Sequence, residues 1–234
     1  MKWMQTRGIC LLMAVILLIS MAAAARGAAM LVSSTEVKKT QYTVVIDAGH
    51  GGSDPGKVGI NGALEKDINL EIALSVRDFL EEEDVRVIMT RETAEGLYDK
   101  NASNKKVDDM KKRIVIMEKE KPDAVISIHQ NSYHEESVSG PQVFYYNGSV
   151  EGKKMADIMQ AQLIQGMKPE KERVAKENSS YYLLKKTSAP IVIVECGFLS
   201  NSREAEYLCT PLYREKMAWN IHLAVLRYLN ERKY

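Results

Sequence analysis

The sequence predicts a single α/β domain, in which a twisted, mostly parallel sheet of about six strands is flanked by helices on both faces. Short runs of β-branched residues alternate with stretches of helical periodicity along residues 42–234, as expected for repeated strand–helix units. The strand runs are apolar throughout, as in Ile191–Val194, which indicates strands covered on both faces. Apolar residues make up 45% of the chain, so a sizeable core can form.

The elements follow one another in a regular order. Strands are predicted at Tyr42–Ile46, Val85–Met89, Ala124–Ile128, Gln142–Tyr146 and Ile191–Val194, with a short additional strand at Tyr181–Leu184. Helices are predicted at Glu65–Glu82, Val107–Lys119, Val150–Gly166, Glu204–Leu208 and Leu212–Leu229. In the first helix, apolar residues recur every three to four positions and therefore share one face: Ile68, Ile72, Val76 and Phe79. The polar stretch 96–106 indicates a loop.

The first 29 residues have the features of an export segment. Lys2 and Arg7 precede an apolar run, residues 9–25, that ends in four alanines, and this order is typical of a secretory signal. The run is also just long enough to cross a bilayer, so an uncleaved membrane anchor is the alternative. Residues 30–41 are predicted to be a linker, and residues 42–234 a catalytic domain that lies outside the cytoplasm, either secreted or anchored.

Composition narrows the classes of partner. The chain has 32 basic and 31 acidic residues, for a net charge of +1, and lacks the basic excess of nucleic-acid-binding domains. We therefore expect no nucleic-acid partner. Three cysteines are too few for a disulfide framework, and Cys196 is interpreted as an inert buried thiol rather than a nucleophile.

Four residues at the ends of predicted elements carry the chemistry. His50 follows the first strand, and Glu65 opens the first helix. His129 follows the third strand, and Glu195 ends the last apolar strand. Because open α/β sheets bind ligands beyond the carboxyl ends of their strands, these residues are expected to converge. Two histidines and a carboxylate are the usual protein ligands of a catalytic Zn²⁺ ion, which leaves one position open for water.

Glu195 is a candidate general base. A carboxylate at the end of an Ile-Val-Ile-Val run is costly to remove from water unless it is paired or used chemically. Water activated by a metal ion needs such a base nearby.

Each of these residues also has a structural interpretation. A histidine at a strand end can be an ordinary loop residue, and a glutamate in a first helical turn can simply complement the helix dipole. His134 is predicted to lie on the surface, His222 to be a packed or half-exposed helix residue, and Lys105–Arg113 to form a solvated helix face. Four tyrosines are predicted to be sheet or rim residues, some of which could line a sugar-binding groove: Tyr145, Tyr146, Tyr181 and Tyr182.

Four segments together resemble the zinc-dependent N-acetylmuramoyl-L-alanine amidases of the type 3 class. They are Val45–Gly52, Leu64–Asp67, Ser127–Asn131 and Val194–Asn201, and the resemblance covers residues 42–230. It implies hydrolysis of the amide between muramic acid and L-alanine in peptidoglycan. By position it implies that His50, Glu65 and His129 are the zinc ligands and that Glu195 is the catalytic glutamate.

Finer features resemble the germination-specific members of this family in spore formers. These features are the stretch Gly140–Tyr146 and the short layout of one export segment and one domain. The resemblance implies muramic-δ-lactam formation in spore cortex, with the enzyme at the cell wall or in the intermembrane space of the developing spore. An activating partner protein is also expected for a lone catalytic domain. Gln130 and Glu118 depart from the family pattern, which puts substrate fit and support beneath the site in doubt.

Two other functions remain open from the residues. One is a non-catalytic wall-binding or scaffold protein, although such a protein would not need Glu195. The other is a zinc carboxypeptidase or deacetylase acting on the same polymer. The wide separation of His50 and Glu65 differs from the tight His-x-x-Glu spacing of carboxypeptidases.

Overall fold

The computed structural model describes residues 13, 15–23 and 42–232. Contacts divide the chain into two units, Met1–Thr40 and Gln41–Tyr234. In the first unit, residues 13 and 15–23 are helical and exposed, while the remaining residues of the predicted export segment and the predicted linker 30–41 lie outside the described residues. Within the described part of the chain, no helix has both the length and the apolar character required to span a membrane.

The second unit is a three-layer α/β domain. Its strands are β1 (Thr43–Ala48), β2 (Arg86–Met89), β3 (Ala124–Asn131), β4 (Gln142–Tyr146), β5 (Lys176–Asn178) and β6 (Ile191–Phe198). Its helices are α1 (Glu65–Glu82), α2 (Lys105–Lys119), α3 (Val150–Met167), α4 (Tyr182–Lys186), α5 (Ser202–Leu208) and α6 (Pro211–Glu231). The strand order is β2-β1-β3-β6-β4-β5, and every neighbouring pair is parallel except β4 with β6. The predicted fold class is confirmed.

Two apolar cores lie on opposite faces of this sheet. Val44 and Ile46 of β1 belong to the larger core, with residues of α1, α3, α5 and α6, whereas Val45 belongs to the smaller core, with residues of α2 and α4. Successive side chains of a strand point to opposite faces. The continuous apolar strands therefore require helices on both sides of the sheet.

One predicted strand is wrong. Tyr182–Lys186 is a short helix, and the neighbouring strand is Lys176–Asn178 instead. The side chain of Asn178 accepts hydrogen bonds from the backbone N–H groups of Ser180 and Tyr181 at 2.7 and 2.9 Å, which turns the chain away from the sheet. Leu183 and Leu184 are then both buried, which a strand with one covered face would not allow.

His222 is buried inside α6. Its side chain is 2% exposed and packs against the rings of Phe79 and Trp219, with ring centroids 5.6 and 4.8 Å away. Burial lowers the pKa of His222, and the charges of Glu82 and Glu83 offset this only in part. The neutral imidazole is therefore the form that fits the fold.

Acid is expected to destabilise this helix through His222. Because the pKa of His222 is lower in the folded chain than in the unfolded chain, the unfolded chain binds the additional proton. Stability is then complete above the unfolded pKa of about 6.5 and declines as the pH falls below it. Between pH 7 and pH 5, the free energy of unfolding, measured by urea titration, should fall less in His222→Phe than in the wild-type protein. Equal losses in the two proteins would contradict this assignment.

Candidate active site

Parallel strands bring the four predicted site residues to one edge of the sheet. β1 and β3 align Ala48 with Ile128, and β3 and β6 align His129 with Glu195. His129 and Glu195 lie within paired strands rather than after them. His50 lies two residues beyond β1, and Glu65 is the first residue of α1. Residues far apart in sequence therefore face one cavity.

His50, Glu65 and His129 form a compact cluster. The Glu65 Oε1 atom lies 3.2 Å from His50 Nε2 and 2.9 Å from His129 Nδ1. One ligand atom of each residue lies within 4.8 Å of the others. Two imidazoles and a carboxylate at such distances can hold a metal ion.

The Glu65 carboxylate is held in place by backbone and side-chain donors. The backbone N–H of Lys57 donates to Oε2 at 2.7 Å, and the backbone N–H of Gln130 donates to Oε1 at 3.1 Å. Burial disfavours the charge, but the hydrogen bonds and charges of His129 and His50 hold the pKa of Glu65 far below its usual range. Glu65 is therefore ionised, as a metal ligand must be.

The loop after β1 places His50 through an unusual backbone and a carboxylate partner. His50 has a φ of +62°, a left-handed conformation that is uncommon for residues other than glycine. Its Nδ1 atom lies 2.9 Å from Asp54 Oδ2. A carboxylate that accepts the Nδ1 proton fixes the tautomer and leaves Nε2 free for a ligand.

Close packing around the cluster requires glycine at position 49. A Cβ atom added at Gly49 would lie 2.3 Å from His129 Cε1 and 2.5 Å from its Nε2. The imidazole of His129 therefore packs directly against the main chain that follows β1. A larger residue at position 49 would displace one of the candidate ligands.

Glu195 is the buried carboxylate of the site. It is 7% exposed, and its Oε2 atom has no hydrogen-bond partner among the described residues. Burial raises the pKa of Glu195 to about 7, although the charges of His129 and His50 act in the opposite direction. A carboxyl group with a pKa near neutrality can both accept and donate a proton.

Arg113 supports the site from below, and its interpretation as part of a solvated helix face is wrong. The side chain is 1% exposed. It donates to Asp47 at 2.6 Å, to Asp109 at 2.5 Å and to the backbone carbonyl of His50 at 2.5 Å. Arg113 lies three residues after Met110 and four before Met117, and that helical spacing is the signal that could have placed it on the inner face of α2.

A second arginine, Arg91, holds the same loop and was not among the residues predicted from the sequence. Arg91 follows β2 and donates to the backbone carbonyls of Ala48 at 2.9 Å, Gly49 at 3.0 Å and Lys66 at 2.7 Å. Arg91 and Arg113 thus donate hydrogen bonds to the backbone carbonyl groups of the turn that runs from the end of β1 to His50. No motif in the sequence marks these contacts, because each joins positions distant along the chain.

The site opens into a cavity of about 490 Å³. His50, Glu65, His129 and Glu195 all line it, together with Lys57, Lys106, Met110, Tyr181, Tyr182 and Leu183. Of the four tyrosines, Tyr181 and Tyr182 therefore reach the site, while Tyr145 and Tyr146 belong to β4. The wall combines aromatic and aliphatic surface with a few charged groups, as is typical of a ligand-binding cavity.

The other residues singled out from the sequence do not belong to the cluster of candidate metal ligands and base. His134 is exposed, with a side chain 72% accessible. Cys196 is fully buried, and burial together with the charge of Glu195 raises the pKa of its thiol, so it is not a thiolate nucleophile. Glu118 accepts hydrogen bonds from the backbone and hydroxyl of Ser188.

Comparison with known proteins identifies the family. The profile of the family Amidase_3, N-acetylmuramoyl-L-alanine amidase, matches residues 44–227. The chain belongs to this amidase family. It is 38% identical over 192 residues to the germination-specific N-acetylmuramoyl-L-alanine amidase of Bacillus subtilis, covering 81% of this chain and 80% of the relative.

Solved amidase structures share the fold. The CwlD amidase of Clostridioides difficile, solved in complex with the GerS lipoprotein, superposes with a TM-score of 0.78 at 35% identity, covering 81% of this chain and 99% of that one. The amidase AmiC2 of Nostoc punctiforme gives a TM-score of 0.72 at 31% identity, covering 81% of this chain and 97% of that one. The protein is thus an N-acetylmuramoyl-L-alanine amidase, a hydrolase whose substrate is peptidoglycan. A non-catalytic scaffold and another class of peptidoglycan hydrolase are not favoured.

Proposed function

We propose that this amidase is a zinc enzyme in which His50, Glu65 and His129 hold the ion and Glu195 transfers the proton. The observation that carries the proposal is the Glu195 Oε2 atom, which is buried without a partner among the described residues and faces the same cavity as the three-residue cluster. An unpaired buried carboxylate costs stability. Its position beside a cluster of metal-binding side chains supports a chemical role.

The cluster fits zinc by its donor chemistry. Two imidazoles and one carboxylate are a common protein ligand set of catalytic zinc sites, and the contact between His50 and Asp54 supplies the outer carboxylate that such histidines have. When bound, zinc supplies a Lewis acid that polarises a carbonyl oxygen and lowers the pKa of water.

Glu195 is proposed to carry out both proton transfers of the reaction. Glu195 in its ionised form accepts a proton from the attacking water at a carboxylate oxygen. The water oxygen forms a bond to the carbonyl carbon of the lactyl group. When the carbon–nitrogen bond breaks, Glu195 returns the proton to the amide nitrogen, so that L-alanine leaves as an amine. One residue serves both steps because its pKa lies near neutrality.

Removal of a ligand is expected to abolish zinc binding and cleavage together. We expect wild type to bind one zinc ion per chain and to release stem peptides from purified peptidoglycan, whereas His50→Ala should lose both properties. Metal content is measured by mass spectrometry and products by muropeptide analysis. His134→Ala is the matched control, because this histidine is exposed and outside the cluster. If His50→Ala retains the zinc of wild type, the proposed ligand set is wrong.

A role in the spore cortex is the finer proposal. It is supported by the identity with the germination-specific amidase of Bacillus subtilis and by the likeness to the Clostridioides difficile CwlD structure. Removal of the stem peptide from muramic acid prepares the residue for closure to muramic-δ-lactam. Digestion of cortex and vegetative peptidoglycan side by side tests this role. Preference for vegetative wall would contradict it.

The domain layout that we propose suits an enzyme that acts on the cell wall. Residues 1–29 direct export, residues 30–41 form a linker, and residues 42–234 form the zinc amidase domain, which acts outside the cytoplasm. A partner protein that promotes activity is proposed because the Clostridioides difficile structure contains a lipoprotein bound to the amidase. If the purified protein alone binds zinc fully and cleaves cortex at the rate seen in cell extract, no activating partner is needed.

A further inference from the structure

A pair of buried amides lies behind the candidate metal ligand Glu65. Asn69, one helical turn after Glu65 in α1, is 0% exposed, and Gln130, next to His129 in β3, is 2% exposed. Gln130 Nε2 donates to Asn69 Oδ1 at 3.1 Å. Asn69 Nδ2 in turn donates to Glu65 Oε1 at 3.3 Å and to the backbone carbonyl of Gly49 at 3.1 Å.

The partners fix the orientation of the Asn69 amide. The Glu65 carboxylate and the Gly49 carbonyl only accept hydrogen bonds, so the nitrogen of Asn69 must face them. The Asn69 oxygen then needs a donor on its other side, and Gln130 provides it. If the Asn69 amide rotated by half a turn, its oxygen would face the carboxylate of Glu65, and that contact is repulsive.

The arrangement is not explained by stability alone. The Oε1 atom of Gln130 is buried and has no hydrogen-bond partner among the described residues. Leaving an amide oxygen unpaired in the interior costs free energy. The cost is consistent with a role for the other end of this side chain, the Nε2 group that reaches Asn69.

We propose that Gln130 is a positioning residue for metal binding, which acts by locking the Asn69 amide in the orientation that holds Glu65 as a ligand. The inference rests on the proposed ligand set of His50, Glu65 and His129. If Glu65 and the two histidines held a metal ion, the carboxylate would keep three further donors, the backbone N–H groups of Lys57 and Gln130 and the side chain of Asn69. Gln130 contributes to this cradle through its backbone and through its side chain.

Zinc affinity tests the proposal in a form that does not depend on turnover. Gln130→Leu keeps the approximate volume and removes the donor to Asn69. We expect zinc affinity, measured by competition with a chromogenic chelator, to fall about 10- to 100-fold, as for other residues that orient metal ligands. Asn69→Ala should cause a similar loss. Because both changes act through the same hydrogen bond to Glu65, the double variant should lose no more than Asn69→Ala alone.

Gln160→Leu is the matched control. Gln160 is also a buried glutamine, 4% exposed, but it bonds to the backbone of Val143 and Pro141 away from the site. It should lower the temperature of unfolding without changing zinc affinity. Gln130→Leu with wild-type zinc affinity, or losses that add in the double variant, would overturn the proposal. If His50→Ala also kept wild-type zinc affinity, the ligand set itself would be at fault, so the two failures are distinguishable.

Discussion

Glu195→Gln is expected to lose amidase turnover by about 10²- to 10⁴-fold, the range of a general acid–base group, while it keeps zinc. The amide is nearly isosteric with the carboxylate but cannot accept the proton of water. Because burial raises the pKa of Glu195 to about 7, the charged carboxylate opposes folding above its ordinary pKa. The free energy of unfolding of the metal-free variant should therefore be unchanged or higher at pH 8.

Loss of turnover with zinc and stability retained would separate a chemical role of Glu195 from a role in folding. Turnover is measured as release of stem peptides from peptidoglycan, zinc content by mass spectrometry and stability by urea titration. Cleavage by Glu195→Gln at the wild-type rate would exclude Glu195 as the base. Simultaneous loss of zinc and turnover would instead indicate that Glu195 is needed to build the metal site.

Arg113→Met is expected to have the largest effect on stability, a loss of about 3–5 kcal/mol. The guanidinium pairs with Asp47 and Asp109 at 2.6 and 2.5 Å, and Asp47 is completely buried. Methionine fills much of the volume but leaves the Asp47 charge in the interior without its cation. The free energy of unfolding is measured by urea titration of the metal-free protein.

The neighbouring residue supplies the control. Lys112 lies on the same helix, 43% exposed, and pairs with Asp108 at the surface. Lys112→Met should change stability by less than about 0.5 kcal/mol, as expected of surface substitutions. Adding Asp47→Asn to Arg113→Met should recover part of the loss, because the uncompensated charge is then absent. A loss no larger than that of Lys112→Met would show that the buried pair contributes little.

The fold class and the identity of the candidate site residues can be predicted from the pattern of residues along the chain. Continuous apolar strands such as Ile191–Val194 must be covered on both faces. The helical periodicity of the segments between the strands indicates that helices cover them. The carboxyl ends of parallel strands share an edge, so polar residues at those ends can be expected to meet. His50, Glu65, His129 and Glu195 were found in this way.

Local signals were not sufficient where a short segment depends on its neighbours. Residues 181–184 have apolar and aromatic side chains that suit a strand, yet Tyr182–Lys186 is a helix. The outcome was decided by the Asn178 side chain, which caps the preceding turn, and by the space beneath β4 and β6 that two adjacent leucines fill.

The contacts that hold the site in place could not be predicted from the sequence. Arg113 is one of several cations in a charged stretch of sequence, and its spacing from Met110 and Met117 indicates the inner face of the helix but not which groups it contacts. Its partners Asp47 and the carbonyl of His50 lie more than sixty residues away. Arg91 and Gln130 likewise reach partners on other elements, the backbone carbonyl of Ala48 and the side chain of Asn69. Periodicity reports which face of an element is buried, but the hydrogen-bond partner of a buried polar group depends on packing between elements, which is set by the complete fold.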